Sequence, residues 1–325
     1  MKDTNLLWGR WHDFPDYILG ITEEIWEGRG LGPRMKDYYG ADCVVRTPQG
    51  VSLGEPAMTA ATLATLSEFP DRQLLGEDVI WCGTPEAGML SSHRNLGVAT
   101  HRGGAFLAED TGRPVRFRAI ADCWAKDGVI EDEWLVRDNG AVVRQLGIEP
   151  RDWAQAALER GMEPFTAERD VEGPYRGAGE PGEWGALYAD CLERIMEADL
   201  AVIGERWDRA CHLEYPGGVT GHGRADADRF WLGLRAAFPS ARFAAHHVIG
   251  RHDPHLPPRA AVRWSLDGRH DGWGAFGRPS GAHVHVMGIS HAEFGTLGGA
   301  APELRREWVL FDETAVWMQI LGGAA

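Results

Sequence analysis

The chain has 325 residues, 44% of them hydrophobic and 25% charged, enough apolar material for two domains of ordinary size. Its 48 acidic against 33 basic side chains give a formal net charge of −15, which disfavours nucleic-acid phosphates and anionic membrane surfaces as partners and points to a small molecule or a protein. No stretch approaches the roughly 18 apolar residues of a membrane-spanning helix, and the opening MKDTNLLWGRWHDFPD lacks the apolar core of a secretory signal, so a cytoplasmic location is expected.

In chain order, DYILGITEEIWEG places Ile18, Ile21, Ile25 and Trp26 at helical spacing, GRGLGP (Gly28 to Pro33) reads as a turn, and PAMTAATLATLSEF as a second amphipathic helix. Four extended segments follow: RQLLGEDVIWC, GMLSSHRNLGVATH, RPVRFRAIADCWAK and GVIEDEWLVRDNGAVVRQL. The Gly-, Pro- and charge-rich ERDVEGPYRGAGEPGEW (Glu168 to Trp184) reads as a linker. The order then recurs, with WGALYADCLERIMEADLAVIGERW and ADADRFWLGLRAAF as helices. The strands of this second set are ARFAAHHVIGRH, RAAVRWSLDGRH, AHVHVMGISHAEF and LRREWVLFDETAVWMQIL.

The recurrence is an internal repeat. EFPDRQLLGEDVI matches AFPSARFAAHHVI at an offset of 169 (Glu68 onto Ala237), which also carries Arg94 onto Arg263, His101 onto His270 and Thr111-Gly112 onto Ser280-Gly281. DEWLVRDNGAVVRQLG then matches REWVLFDETAVWMQILG at an offset of 174 (Asp138 onto Asp312), so the second copy carries an insertion within Gly295 to Arg305, read as a longer hairpin loop. The expected domains are residues 1–150 and 184–325, joined by a helix and linker at 151–183. Helices followed by long strands indicate α+β with a mostly antiparallel sheet. Such a sheet must curl, and helices laid on its concave side leave a cone with a cavity.

The His-x-Gly, Thr/Ser-Gly and closing Glu-Trp-x-x-x-Asp segments resemble the SnoaL-like polyketide cyclases of the NTF2-like superfamily, as two tandem copies. The resemblance implies cone-shaped domains paired as an intramolecular pseudo-dimer, with further homo-oligomerisation open. It also implies cofactor-independent acid/base chemistry on a small hydrophobic or aromatic carbonyl compound, by aldol cyclisation or isomerisation. The family's acid/base aspartate maps onto Asp312 and Asp138. Strand alternation would set Trp134, Val136 and Asp138 on one face, and Trp308, Leu310 and Asp312 on the matching face, where burial beside indole raises a carboxyl pKa. His101 and His270, at the ends of matching strands, would orient substrate. Arg94 and Arg263 fall on the opposite strand face from them.

On the third strand the second copy carries His283, His285, Met287, Ile289, His291 and Glu293 where the first carries Pro114, Arg116, Arg118, Ile120, Asp122 and Trp124. That face lines a wet cavity or meets the other domain. The expected pocket residues are therefore Trp308, Trp134, His283, His285, His291, Arg118 and Asp122. Histidines two apart on a strand sit about 7 Å apart, so the row does not grip one metal ion, and no metal or cofactor is expected. The five widely spaced cysteines read as buried thiols. No phosphate loop, nucleophile elbow or dinucleotide fingerprint occurs. The 14 tryptophans suit either an apolar pocket or a core. The alternative to an enzyme is a non-catalytic small-molecule-binding or interaction protein on the same fold.

Overall fold

A computed structural model describes residues 8–295 and 301–323. In the first half, α1 (Phe14–Thr22) starts at Asp13, whose carboxylate accepts from the Asp16 N–H at 2.9 Å, and runs into a π-helical turn (Glu23–Glu27). Its buried Phe14, Tyr17, Ile18 and Ile21 follow the helical repeat. Then come α2 (Pro33–Tyr38), β1 (Tyr39–Thr47), β2 (Gly50–Leu53), α3 (Gly54–Glu68), β3 (Gln73–Thr84), β4 (Gly88–Thr100), β5 (Pro114–Lys126), β6 (Val129–Arg137), α4 (Asn139–Leu146) and α5 (Pro150–Glu159). The second half continues with β7 (Gly179–Glu180), α6 (Gly182–Met196), α7 (Ala201–Arg206), β8 (Trp207–Tyr215), β9 (Val219–His222), α8 (Arg224–Ala237), β10 (Arg242–Arg251), β11 (Arg259–Arg269), β12 (His283–Gly295), β13 (Glu303–Phe311) and α9 (Glu313–Gly322).

The fold is α+β. One sheet has the order β2-β1-β6-β5-β4-β3, and the other repeats it as β9-β8-β13-β12-β11-β10 with β7 added at its edge. Registers agree as well: Arg94 faces Ile120 and Ile120 faces Val136, while Arg263 faces Ile289 and Ile289 faces Leu310. In each sheet the first long strand pairs in parallel with the last.

Three expectations are corrected. The hairpins β1–β2 and β8–β9 were not anticipated; Cys43, Val44, Val45 and Arg46 are all buried, so β1 is covered on both faces and shows no alternation. The helix expected over 184–207 breaks at Ala198, whose φ is +68°. Each closing strand ends one residue before its aspartate, and the rest of the repeated motif is helix. The inserted loop of the second half falls largely on residues 296–300, outside the described residues.

The convex faces of the two sheets meet. Ile120 and Val136 pack with Met287, Ile289 and Leu310, and Ile80, Cys82 and Leu90 pack with Ile249 and Ala261. Arg263 lies 3.4 Å over the Trp134 ring and Arg94 lies 3.6 Å over Trp308, a reciprocal pair of the kind a two-fold axis produces. The segment after α5 runs along this junction: Phe165 is buried in it and Tyr175 bonds His247 at 2.8 Å. Among the described residues, no helix is long and apolar enough to cross a membrane. All five cysteines are free and buried.

Candidate functional site

The concave face of the first sheet encloses a cavity of about 590 Å³. Its floor is a grid set by strand register. One row across β4, β5 and β6 is Ser91–Cys123–Glu133, the next His93–Ala121–Leu135, the next Asn95–Ala119–Arg137. Alternation turns these side chains inward and sends Ser92, Arg94, Ile120, Asp122, Trp134 and Val136 to the other sheet. The hollow exists because its central tiles are small: Ala119 and Ala121 on β5, and Ala61, Thr62, Ala64 and Thr65 on α3. Trp26, Phe69, Phe106, Phe117 and Trp153 supply apolar walls, and Arg72 enters beyond the end of α3.

The second cone is built on the same grid and is full. Offset by 169, Ala61, Thr62 and Thr65 become Phe230, Trp231 and Leu234, His93 becomes Val262, Asn95 becomes Trp264 and Arg72 becomes Ala241; offset by 174, Arg137 becomes Phe311. Trp231, Trp264, Phe238 and Phe311 form one buried cluster. Trp264 lies against Gly288, where a Cβ would fall 2.2 Å from its ring. Of the inward polar set, Glu133 persists as Glu307. It accepts from the Tyr188 hydroxyl at 2.9 Å, the Tyr215 hydroxyl at 2.8 Å and the Trp207 indole at 3.2 Å.

The residues singled out by the repeated motif lie elsewhere. Asp138 and Asp312 cap α4 and α9, accepting from the Ala141 and Thr314 N–H groups at 2.9 Å each. Each also reaches the first hairpin turn of the opposite half: Asp138 accepts from the Gly217 and Gly218 N–H groups at 2.8 and 2.9 Å, and Asp312 from the Gln49 side-chain amide. Trp134 and Trp308 face the sheet junction, not the cones. The motif's glutamines bridge backbone, Gln145 to Arg116 and Gln319 to His285.

His101 and His270 pin hairpins, with Nδ1 bonded to Thr111 Oγ1 at 2.9 Å and to Ser280 Oγ at 3.2 Å, and His101 Nε2 also meets Glu68 at 3.1 Å. His283 and His285 pair with Asp267 at 3.4 and 2.9 Å near the surface. His291 bonds Ser92 at 2.8 Å and Arg94 at 3.0 Å across the junction. Asp122 pairs with Arg263 at 3.3 Å and Arg118 with Glu77 at 3.0 Å and Glu214 at 2.8 Å. Of the third-strand residues expected in the pocket, His291, Asp122 and Arg118 therefore meet the other half, His283 and His285 pair within their own, and none lines the first cavity. Asp138, Arg118 and Trp308 share a second hollow of about 510 Å³ between the sheets.

Residues 188–299 match the SnoaL-like domain. No curated protein matches the chain. Among solved structures it is similar to IdmH, a candidate polyketide cyclase from Streptomyces antibioticus, at 22% identity over 40% of this chain and 96% of that one, TM-score 0.35. A SnoaL-like candidate polyketide cyclase from Jannaschia sp. CCS1 gives 18% over 43% and 96%, TM-score 0.35. AclR, a candidate hydroxylase from Streptomyces galilaeus, gives 21% over 40% and 92%, TM-score 0.35. At these identities and TM-scores the likenesses carry no argument about chemistry. The stretch matched as SnoaL-like is the one whose cone is filled.

The electrostatics separate the halves further. Burial pushes the His93 imidazole down to about 4, so it is neutral near pH 7. Its Nδ1 lies 3.2 Å from Ser91 Oγ, which is also 3.5 Å from the Cys123 carbonyl; in the tautomer whose Nδ1–H donates to Ser91, Nε2 carries the lone pair. Burial raises Glu133, against hydrogen bonds from Tyr39 (3.0 Å) and Cys123 that lower it. Burial lowers Arg72 to about 10, with Arg137 adding repulsion, and lowers Arg137 as well. Asn95 Oδ1 is buried without a partner among the described residues.

Outside the cavity, burial lifts Asp138 to about 6, and lifts Asp312 and Glu307 to about 7. His93, Asn95, Glu133, Arg137 and Arg72 were all passed over in the sequence. The signal that exposes them is the difference between the copies at inward positions, not their agreement.

Proposed function

We propose that the chain is a pair of tandem NTF2-like domains, residues 1–150 and 184–325 joined by 151–183, forming an intramolecular pseudo-dimer. In this reading the first domain carries the working site and the SnoaL-like second domain is its structural partner. The site acts as a cofactor-independent acid/base enzyme on a polyketide-like or polycyclic carbonyl compound. One observation carries this: an apolar cavity with a neutral histidine, an amide, a carboxyl group and two guanidiniums on its floor stands where the other copy has Val262, Trp264 and Phe311.

With a carbonyl compound lying over Ala119 and Ala121, His93 Nε2 takes a proton from the carbon flanked by carbonyls. The Asn95 amide N–H, opposite Ala119 in register, stabilises the enolate oxygen. The enolate carbon then bonds to a second carbonyl or is reprotonated, and the imidazolium returns its proton to the new alkoxide or carbon. We place the acid/base role at His93 in preference to Asp138 and Asp312, which support the junction. A second reading, a non-catalytic small-molecule binder, is favoured by the weakness of a base titrating at about 4.

The test is turnover of a panel of polycyclic and polyketide-like β-dicarbonyl compounds by the full chain. His93→Gln is expected to lower kcat by roughly 10² or more with little change in KM, whereas Asp138→Asn and Asp312→Asn change it less than about tenfold. Full activity in His93→Gln refutes the base assignment, and binding by the parent without turnover of any compound supports the binder.

A further inference from the structure

We infer that the ligand of the first cone is an aromatic or polycyclic carboxylic acid, its carboxylate held between Arg72 and Arg137. The inference rests on the reading that this cone is the working site, and it names the ligand class. Buried guanidiniums elsewhere in the chain have carboxylate partners: Arg46 pairs with Asp132 and Asp170, Arg94 with Glu77, Arg259 with Asp78 and Asp253, Arg263 with Asp122. Arg72, buried, and Arg137, half-buried, differ. Among the described residues neither has a carboxylate within 4 Å, and Arg72, only 8% exposed, leaves its Nε without any partner. Both line the cavity, and the Arg137 charge makes that of Arg72 harder to hold.

A buried cation without a partner is costly, and two that repel across a void are costlier. The carboxylates nearby relieve them only in part, Glu27 acting on Arg72 and Glu133 on Arg137 from beyond pairing distance. Glu68 is already engaged by the Ala105 and Phe106 N–H groups at 2.9 Å each and by His101 at 3.1 Å. Glu27 accepts from the Leu74 N–H at 2.7 Å and lies outside the cavity lining. Glu133 accepts from the Tyr39 hydroxyl at 3.0 Å and pairs with neither guanidinium, so both keep donors open to an anion in the cavity.

The fork geometry of guanidinium suits a carboxylate. Trp26, Phe69, Phe106, Phe117 and Trp153 would cover a flat apolar body. In the second copy both cations vanish together with the void, Arg72 becoming Ala241 and Arg137 becoming Phe311, as expected if cations and void serve one ligand.

The experiment measures binding of 2-naphthoate and of its methyl ester to the full chain by calorimetry near pH 7. The acid is expected to bind at least about tenfold more tightly than the ester, with the margin shrinking as salt is raised. Arg72→Gln and Arg137→Gln, made singly, should each bring the ratio near one while ester affinity holds. Equal affinities in the parent, a preference that survives both substitutions, or no naphthoate binding at millimolar concentration overturns the inference. Thermal unfolding of the ligand-free variants is the second measurement: removing either repelling charge should leave Tm unchanged or raise it, and a large fall in both would mark them as structural. Naphthoate is a binding probe with no turnover readout, so a failure here leaves the His93 assignment to its own turnover test.

Discussion

Trp264 and Gly288 show how one cone was closed, and the closure should be transferable. Their first-half counterparts are Asn95 and Ala119, adjacent in register on β4 and β5. In Asn95→Trp alone, the indole meets the Ala119 methyl where the second cone has bare glycine, and overpacking of this kind costs about 1–3 kcal/mol. With Ala119→Gly added, the ring can lie flat across β5 as Trp264 does. Burying on the order of 200 Å² of aromatic surface at about 25 cal/mol per Å² contributes at most about 5 kcal/mol. Side-chain ordering and the added glycine offset about 2 kcal/mol of that, leaving about 3.

At about 2.1 cal/mol/K per residue, unfolding all 325 residues together carries an entropy near 0.7 kcal/mol/K, so Tm should rise by about 4 °C. The double variant should also weaken ligand binding in the first cone. A thermal-unfolding double-mutant cycle, with calorimetry on the cavity ligand, is the assay. The reasoning fails if Asn95→Trp is as stable as the pair, or if the pair binds ligand as tightly as the parent.

Two further outcomes follow from groups outside the cavity. Asp312 and Glu307 are held near 7, well above the ordinary carboxylate range, so the folded chain keeps protons that the unfolded chain has lost, and stability falls as pH rises through 7. Between pH 6.5 and 8 Asp312 alone accounts for about 0.8 kcal/mol of decline, while the histidines lowered by burial, which titrate near 6.5 once unfolded, act in the opposite direction. Urea unfolding at the two pH values should show the parent losing about 0.8 kcal/mol relative to Asp312→Asn as pH rises from 6.5 to 8; identical pH dependence in the two contradicts it. Glu307→Ala strands the hydroxyls of Tyr188 and Tyr215 and the Trp207 indole in a fully buried site and should cost about 3–5 kcal/mol in urea unfolding, with Glu307→Gln milder. A loss within about 0.5 kcal/mol for the alanine variant contradicts that account.

The chain order of helices and long strands was legible because period and alternation are local properties, and most long strands stand within a residue or two of where their patterns put them. Where a strand is covered on both faces, as in β1, the alternation disappears and the strand went unread. The motif Glu-Trp-x-x-x-Asp was legible as a repeat, yet its residues were given the wrong faces. Strand alternation was carried one residue too far, through Asp138 and Asp312, although both side chains cap helices that begin at the next residue.

Sequence by itself determined that one plan is written twice, since the same burial and capping demands recur and force Glu133 and Glu307, Trp134 and Trp308, Asp138 and Asp312, and Gln145 and Gln319 into matching places. Only the tertiary structure decided which face of each strand is inside and which half is hollow. That choice depends on volumes summed over residues far apart in the chain: Thr62, Asn95 and Ala119 leave a void where Trp231, Trp264 and Gly288 close one. No single segment carries that sum.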